Sequence, residues 1–188
     1  MNDMQIMYSL SFTLIVLMAV FVICIYFGVF KKEPSKNDER EKAMDLDEWN
    51  LKHEELFNNS PIKILIIEDN RGVSRSIAEM LMIKGVYVKI ARNGLDAMTL
   101  LLKLPFNLIT TGLNMPGING IDFLNSIKKD FPGMKRALIS ACLDEDVRTR
   151  AREAGAFKCL KKPFLMSEIY ELVDEAAKDL NLPVKLKS

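Results

Sequence analysis

A chain of 188 residues with a formal net charge of +1 and 49% hydrophobic residues has room for one ordinary domain and some accessory segments. No nucleic-acid partner is expected. The cysteines, Cys24, Cys142 and Cys159, show no C-x-x-C or metal-like spacing, which argues against a zinc site; Cys142 and Cys159 read as small buried thiols in a reducing compartment.

These averages conceal a sharp division. Between Met4 and Phe30 there is no charged residue, and Ile, Leu, Val, Met and Phe dominate. A bilayer core about 30 Å thick needs about 20 such residues in a helix. A secretory leader would begin with basic residues and end at a small-residue cleavage site. Here Asp3 precedes an apolar run too long for a leader, and no A-x-A pattern closes it. Residues 1–30 are therefore expected to form a transmembrane anchor, with Lys31 and Lys32 favouring a cytoplasmic position for the C-terminal side.

Residues 31–60 are highly charged. They read as a linker that is either a solvated spacer or a short helix able to pair with a second copy. In the helical reading Leu46, Trp49, His53 and Leu56 fall three and four apart on one face. His53 is the only histidine, and in a charged linker its side chain is expected to be exposed.

A regular alternation begins at residue 61 and runs to about 182, leaving a short tail over 183–188. KILIIED predicts a buried strand, Asn70 to Lys84 a helix stopped by Gly85, and VYVKIA a second strand. GLDAMTLLLK, ended by Pro105, predicts the next helix, and FNLITTG the third strand. GIDFLNSIKKD is helical up to Pro132 and Gly133. RALISA is a fourth strand, and DEDVRTRAREAG a helix with acids in its first turn, where the helix dipole favours them. FKCLK is a fifth strand, and LMSEIYELVDEAAKDL a last helix. Five strands alternating with five helices predict an α/β fold: a doubly wound, flavodoxin-like parallel sheet covered on both faces. Ligands in such sheets sit at the carboxyl ends of the strands.

Those ends carry Glu68 and Asp69 after the first strand, Gly112 after the third, Ser140 and Ala141 after the fourth, and Lys161, Lys162 and Pro163 after the fifth. Two acids, a hydroxyl and a lysine suit a hard cation and phosphoryl oxygens. No glycine-rich phosphate loop follows the first strand, which weakens a nucleotide-binding or flavodoxin-like enzyme reading.

Taken in order, ILIIEDN, LNMPGINGIDFL, LISA, EAGA and KKPF resemble the receiver domain of bacterial response regulators, over about Lys63 to Leu180. The resemblance implies a (βα)5 fold. It also implies a magnesium site at Glu68, Asp69 and the Asn114 backbone carbonyl, a phosphate-sensing hydroxyl at Ser140 and a phosphate-pairing lysine at Lys162. The family's phosphorylated aspartate stands two residues before the loop asparagine, which here is Gly112. Its switch aromatic stands three residues before the lysine, which here is Cys159.

An aspartyl phosphate needs a carboxylate to attack phosphorus, and glycine has none. Thr111 should face the opposite side of its strand. The expectation is therefore a membrane-tethered receiver-like signalling module at the bacterial inner membrane. It would not be an enzyme, and it would act by binding a sensor kinase or another signalling protein. The alternative is an active acceptor that uses an unexpected residue or a noncovalent phosphate. No cofactor is required, and magnesium should bind weakly, because with one acid missing Lys162 offsets more of the charge on Glu68 and Asp69. Arg148, Arg152, Phe157 and Lys158 lie where the family's usual partner surface would be. They read either as solvated surface or as a docking patch. Only NLPVKLKS follows the last helix, so no output module is expected.

Overall fold

The computed structural model of the chain describes residues 45–186. The expected anchor and residues 31–44 of the expected linker lie outside that range. Among the described residues, no helix is long and apolar enough to cross a membrane.

The sheet is assembled from short runs of apolar residues. Strands β1 (Ile64–Ile67), β2 (Val88–Ala91), β3 (Leu108–Gly112), β4 (Lys135–Ser140) and β5 (Lys158–Lys161) pair in the order β2-β1-β3-β4-β5. All pairings are parallel, with Ile64 opposite both Val88 and Leu108, Gly112 opposite Ile139, and Ser140 opposite Lys161. β1, β2 and β3 are buried along their whole length, as expected of strands covered on both faces.

Two helices precede the sheet, α1 (Leu46–Lys52) and α2 (Glu54–Asn59). The connecting helices are α3 (Arg71–Met82), α4 (Gly94–Leu101), α5 (Gly120–Ile127), α6 (Glu145–Glu153) and α7 (Met166–Asp179). Four of these five begin in the same way. The side chains of Asn70, Asn93, Asn119 and Asp144 accept the N–H of Val73, Asp96, Ile121 and Val147, satisfying donors that the first turn leaves without a partner. Gly85 follows α3 with φ +73°, a left-handed conformation that glycine adopts without a Cβ penalty.

Alternation along each strand divides the core in two. Leu65, Ile67, Ile109 and Leu138 pack with Ala97, Phe123, Leu124 and Ala151 from α4, α5 and α6. On the other face, Ile77 and Leu81 of α3 and Ile169, Leu172 and Val173 of α7 are buried. The Tyr170 hydroxyl also donates to the Met80 carbonyl at 2.9 Å, joining α7 to α3.

The end of the expected linker departs from its sequence reading. The compact unit that contains the sheet begins at Asp45, and Leu46, Trp49, His53 and Phe57 are all buried in it. His53 is not exposed: only 4% of it is accessible. Its Nδ1 donates to the Trp49 carbonyl at 2.9 Å, and its ring lies 4.3 Å from the Trp49 ring. Helical spacing puts Leu56 on the inner face, but it is 42% exposed and Phe57 takes its place. The cause is a break in the helix. His53, at φ −102° and ψ 17°, separates α1 from α2 and rotates the second helix, bringing Phe57 inward.

Candidate functional site

At the carboxyl edge of the sheet, β1 delivers Glu68 into a nearly closed position, 5% exposed, with its N–H bonded to the Ala91 carbonyl of β2 at 3.0 Å. Burying a carboxylate is costly unless it is paired. Lys162 provides the partner, its Nζ lying 2.6 Å from Glu68 Oε2. The other oxygen, Oε1, accepts the Asn70 N–H at 3.4 Å. Lys162 is held from behind as well, since its backbone N–H donates to the Ser140 carbonyl at 2.9 Å. Ser140 is buried, and its Oγ accepts the Cys142 N–H at 3.2 Å.

Gly112 ends β3 beside this pair. A Cβ placed on it would stand 3.6 Å from Glu68 Oε2 and 3.7 Å from Met115 Cγ, both ordinary contact distances. Position 112 therefore faces the acidic corner and has room for a side chain. Thr111 turns the other way: its Oγ1 donates to the Gly112 carbonyl at 3.1 Å and lies 3.3 Å from Met115 Sδ. Gly120 is a different case. A Cβ there would fall 1.9 Å from the Gly112 carbonyl oxygen, so the start of α5 presses directly on the end of β3.

Asp69 is exposed and borders a cleft of about 440 Å³ with Asn114, Met115, Pro116 and Asn119. Carboxylate and carbonyl oxygens from Glu68, Asp69 and Asn114 have the donor chemistry that a hard divalent cation requires. One of those carboxylates is already engaged by an ammonium. Among the described residues no group of three or more His, Cys, Asp or Glu side chains converges on one point.

The fold thus brings Glu68, Lys162, Ser140 and the backbone of Gly112 to one corner, with Asp69 and Asn114 at an adjoining cleft. The remaining expected site residues lie on the flank formed by α6 and β5. There, burial pushes the half-buried Cys159 thiol up from its usual range, partly opposed by Arg148 and Arg152. Arg152 also reaches Glu145 at 3.5 Å, Lys158 pairs with Glu175 at 2.6 Å, and Lys135 sits over the Phe157 ring at 5.4 Å. Sequence reasoning gives Asn70 no role at the site. It follows the acidic pair directly and precedes a helix, which is an N-cap signal, and it also closes the back of the Glu68 carboxylate.

The family model for the response regulator receiver domain matches residues 64–174. This chain belongs to that family. Its relatives include a response regulator receiver protein of Anaeromyxobacter sp. (strain Fw109-5), 32% identical over 110 residues, covering 58% of this chain and 46% of the relative. Chemotaxis protein CheY-3 of Vibrio cholerae is 31% identical over 124 residues, covering 64% of this chain and 95% of that one. The chain spans about half the length of the first curated relatives it matches. Among solved structures, a CheY-like receiver domain from Methanospirillum hungatei JF-1 superimposes with a TM-score of 0.61. It is 23% identical, and the match covers 64% of this chain and 96% of that domain. The chain therefore has the receiver fold and a place in two-component signalling. The matched span begins at Ile64, so α1 and α2 lie outside it.

Proposed function

We propose that this protein is a membrane-anchored receiver module of a two-component system that acts through protein–protein contact and is not phosphorylated on aspartate. The observation that carries the reading is Gly112. The residue facing Glu68 and Lys162 offers no oxygen to attack phosphorus. The nearest hydroxyl in sequence, that of Thr111, is turned away and engaged by Gly112 and Met115. Cys159, in place of the switch aromatic, is consistent with a domain that has no phosphorylation to report.

In this reading Lys162 does not wait for a phosphoryl group. It neutralises Glu68 and holds the corner closed. A magnesium ion bound at Glu68, Asp69 and the Asn114 carbonyl would neutralise charge there, and competition from Lys162 makes that binding weak. The protein is not an enzyme. Its signal is its shape, presented from the cytoplasmic face of a bacterial inner membrane to a sensor kinase or another receiver. A tether raises the local concentration of weak partners without new contacts. Arg148, Arg152, Phe157 and Lys158 form the flank proposed to meet them.

Incubating the full chain with acetyl phosphate and magnesium, followed by intact-mass measurement, tests the reading. The expected result is an unchanged mass. A stoichiometric phosphoryl adduct would overturn it and favour the alternative of an unexpected acceptor.

A further inference from the structure

β2 is the edge strand of the sheet, yet none of its residues is exposed: even Lys89 is only 4% accessible. An uncovered edge presents a row of unpaired N–H and C=O groups that another strand can bind. Here α1 lies against that edge, and one side chain makes the bonds of a neighbouring strand. Asn50 Nδ2 donates to the Ile90 carbonyl at 2.8 Å, and Asn50 Oδ1 accepts the Ile90 N–H at 2.9 Å. The donor and acceptor of one carboxamide thus satisfy both outward groups of a single edge residue.

The cover is fastened along its length. Lys89 Nζ donates to the Asn50 carbonyl and lies 5.4 Å from the Phe57 ring. Arg92 reaches Asp47 at 3.8 Å. Lys63 Nζ donates to the Phe57 and Asn58 carbonyls, and Trp49 is 2% exposed with Arg75 over its ring at 5.4 Å. The strand beneath, VYVKIA, is rich in β-branched and aromatic residues, the composition that makes an open edge self-associating.

We infer that residues 45–59 are an edge lid, in which Asn50 stands in for a sixth strand and keeps a second copy of this chain from pairing through β2. The occupant excluded is another copy because identical edges are self-complementary under a two-fold axis. This inference does not depend on the phosphorylation state of the domain.

The test uses the full chain in detergent micelles, comparing Asn50→Ala, Asn50→Asp and the control Leu51→Ala. At low protein concentration, Asn50→Ala should exchange the Ile90 amide about tenfold faster or more, the size expected for a lost hydrogen bond. As concentration rises, light scattering should show dimers. Asn50→Asp keeps only the acceptor and should fall between wild type and Asn50→Ala, and Leu51→Ala should match wild type. The Ile109 amide in β3 reports whether the rest of the sheet is intact. An unchanged Ile90 rate would overturn the lid, and fast exchange in a chain that stays monomeric would overturn the excluded partner. Loss of Ile109 protection in both Asn50 variants would also overturn the inference, because Asn50 would then be a general stabiliser.

Discussion

The acidic corner and the β2 edge both set polar groups against apolar surroundings, and they resolve the cost in opposite ways. At the corner, a buried carboxylate meets a single ammonium across 2.6 Å, and the neighbouring strand contributes no side chain. At the edge, a neutral carboxamide makes two bonds, and Trp49, His53 and Phe57 of the same two helices are buried. The corner has space for one more group, whereas at the edge both outward backbone groups of Ile90 are already bonded. A position facing unused space can gain a function by substitution. A position whose bonds are all made can only lose stability.

The largest effect should come from adding a carboxylate at the corner. Gly112→Asp has room at its Cβ, and the proposal predicts a phosphoryl adduct with acetyl phosphate and magnesium that wild type lacks, read by intact mass. Failure of that variant to gain mass while remaining folded would mean that a carboxylate at position 112 is not enough to make the corner an acceptor.

Next is the edge. Trp49→Ala should destabilise the domain by about 3–5 kcal/mol in denaturant unfolding, the usual range for a buried tryptophan. Leu51→Ala, at a position 71% exposed, should stay within about 0.5 kcal/mol. If the two variants matched, α1 would not be part of the folded unit.

The ion pair gives a smaller, two-sided signal. Lys162→Met leaves Glu68 without its cation and should cost about 1–3 kcal/mol. The same change should tighten magnesium binding in calorimetric titration by about fivefold or more, because a charge about 4 Å away is worth about 1 kcal/mol even in bulk water. Unaltered magnesium affinity would remove Lys162 as the competitor.

The smallest contrast is between two thiols. Burial raises the Cys159 thiol above its usual range, whereas Cys142, expected from sequence to be buried, is exposed in the loop after β4, so iodoacetamide should label Cys142 first in peptide mapping. Because the folded form of Cys159 holds its proton more tightly than the unfolded form, its contribution to stability is full below the ordinary thiol range. That contribution declines as pH rises through the raised value.

The two regions also differ in how legible they are from residues alone. The strands, the order of helices and the convergence of Glu68, Ser140, Gly112 and Lys162 come from short apolar runs punctuated by Asn, Gly and Pro, signals local to each segment. α1 and α2 carry no such signal. Their charged residues make Leu46, Trp49 and His53 look like a sparse stripe on a solvated helix, and burial becomes apparent only once the β2 edge is there to receive them. The error at Leu56 has a narrower cause: the helical spacing assumes an unbroken helix across His53, and the turn there changes which residue faces inward. Asn50 is harder still to read, because a carboxamide that closes a strand edge forty residues away leaves no trace in local spacing.

The pinch between the start of α5 and the end of β3 has a consequence for how this corner can change over generations. In a saturation library, position 120 should return glycine almost alone, since any larger residue would collide with the Gly112 carbonyl. Position 112, eight residues earlier, should accept small polar residues freely. Two identical residues at either end of one loop would then show opposite tolerance, and the permissive one is where a phosphate-accepting carboxylate could be introduced by a single replacement.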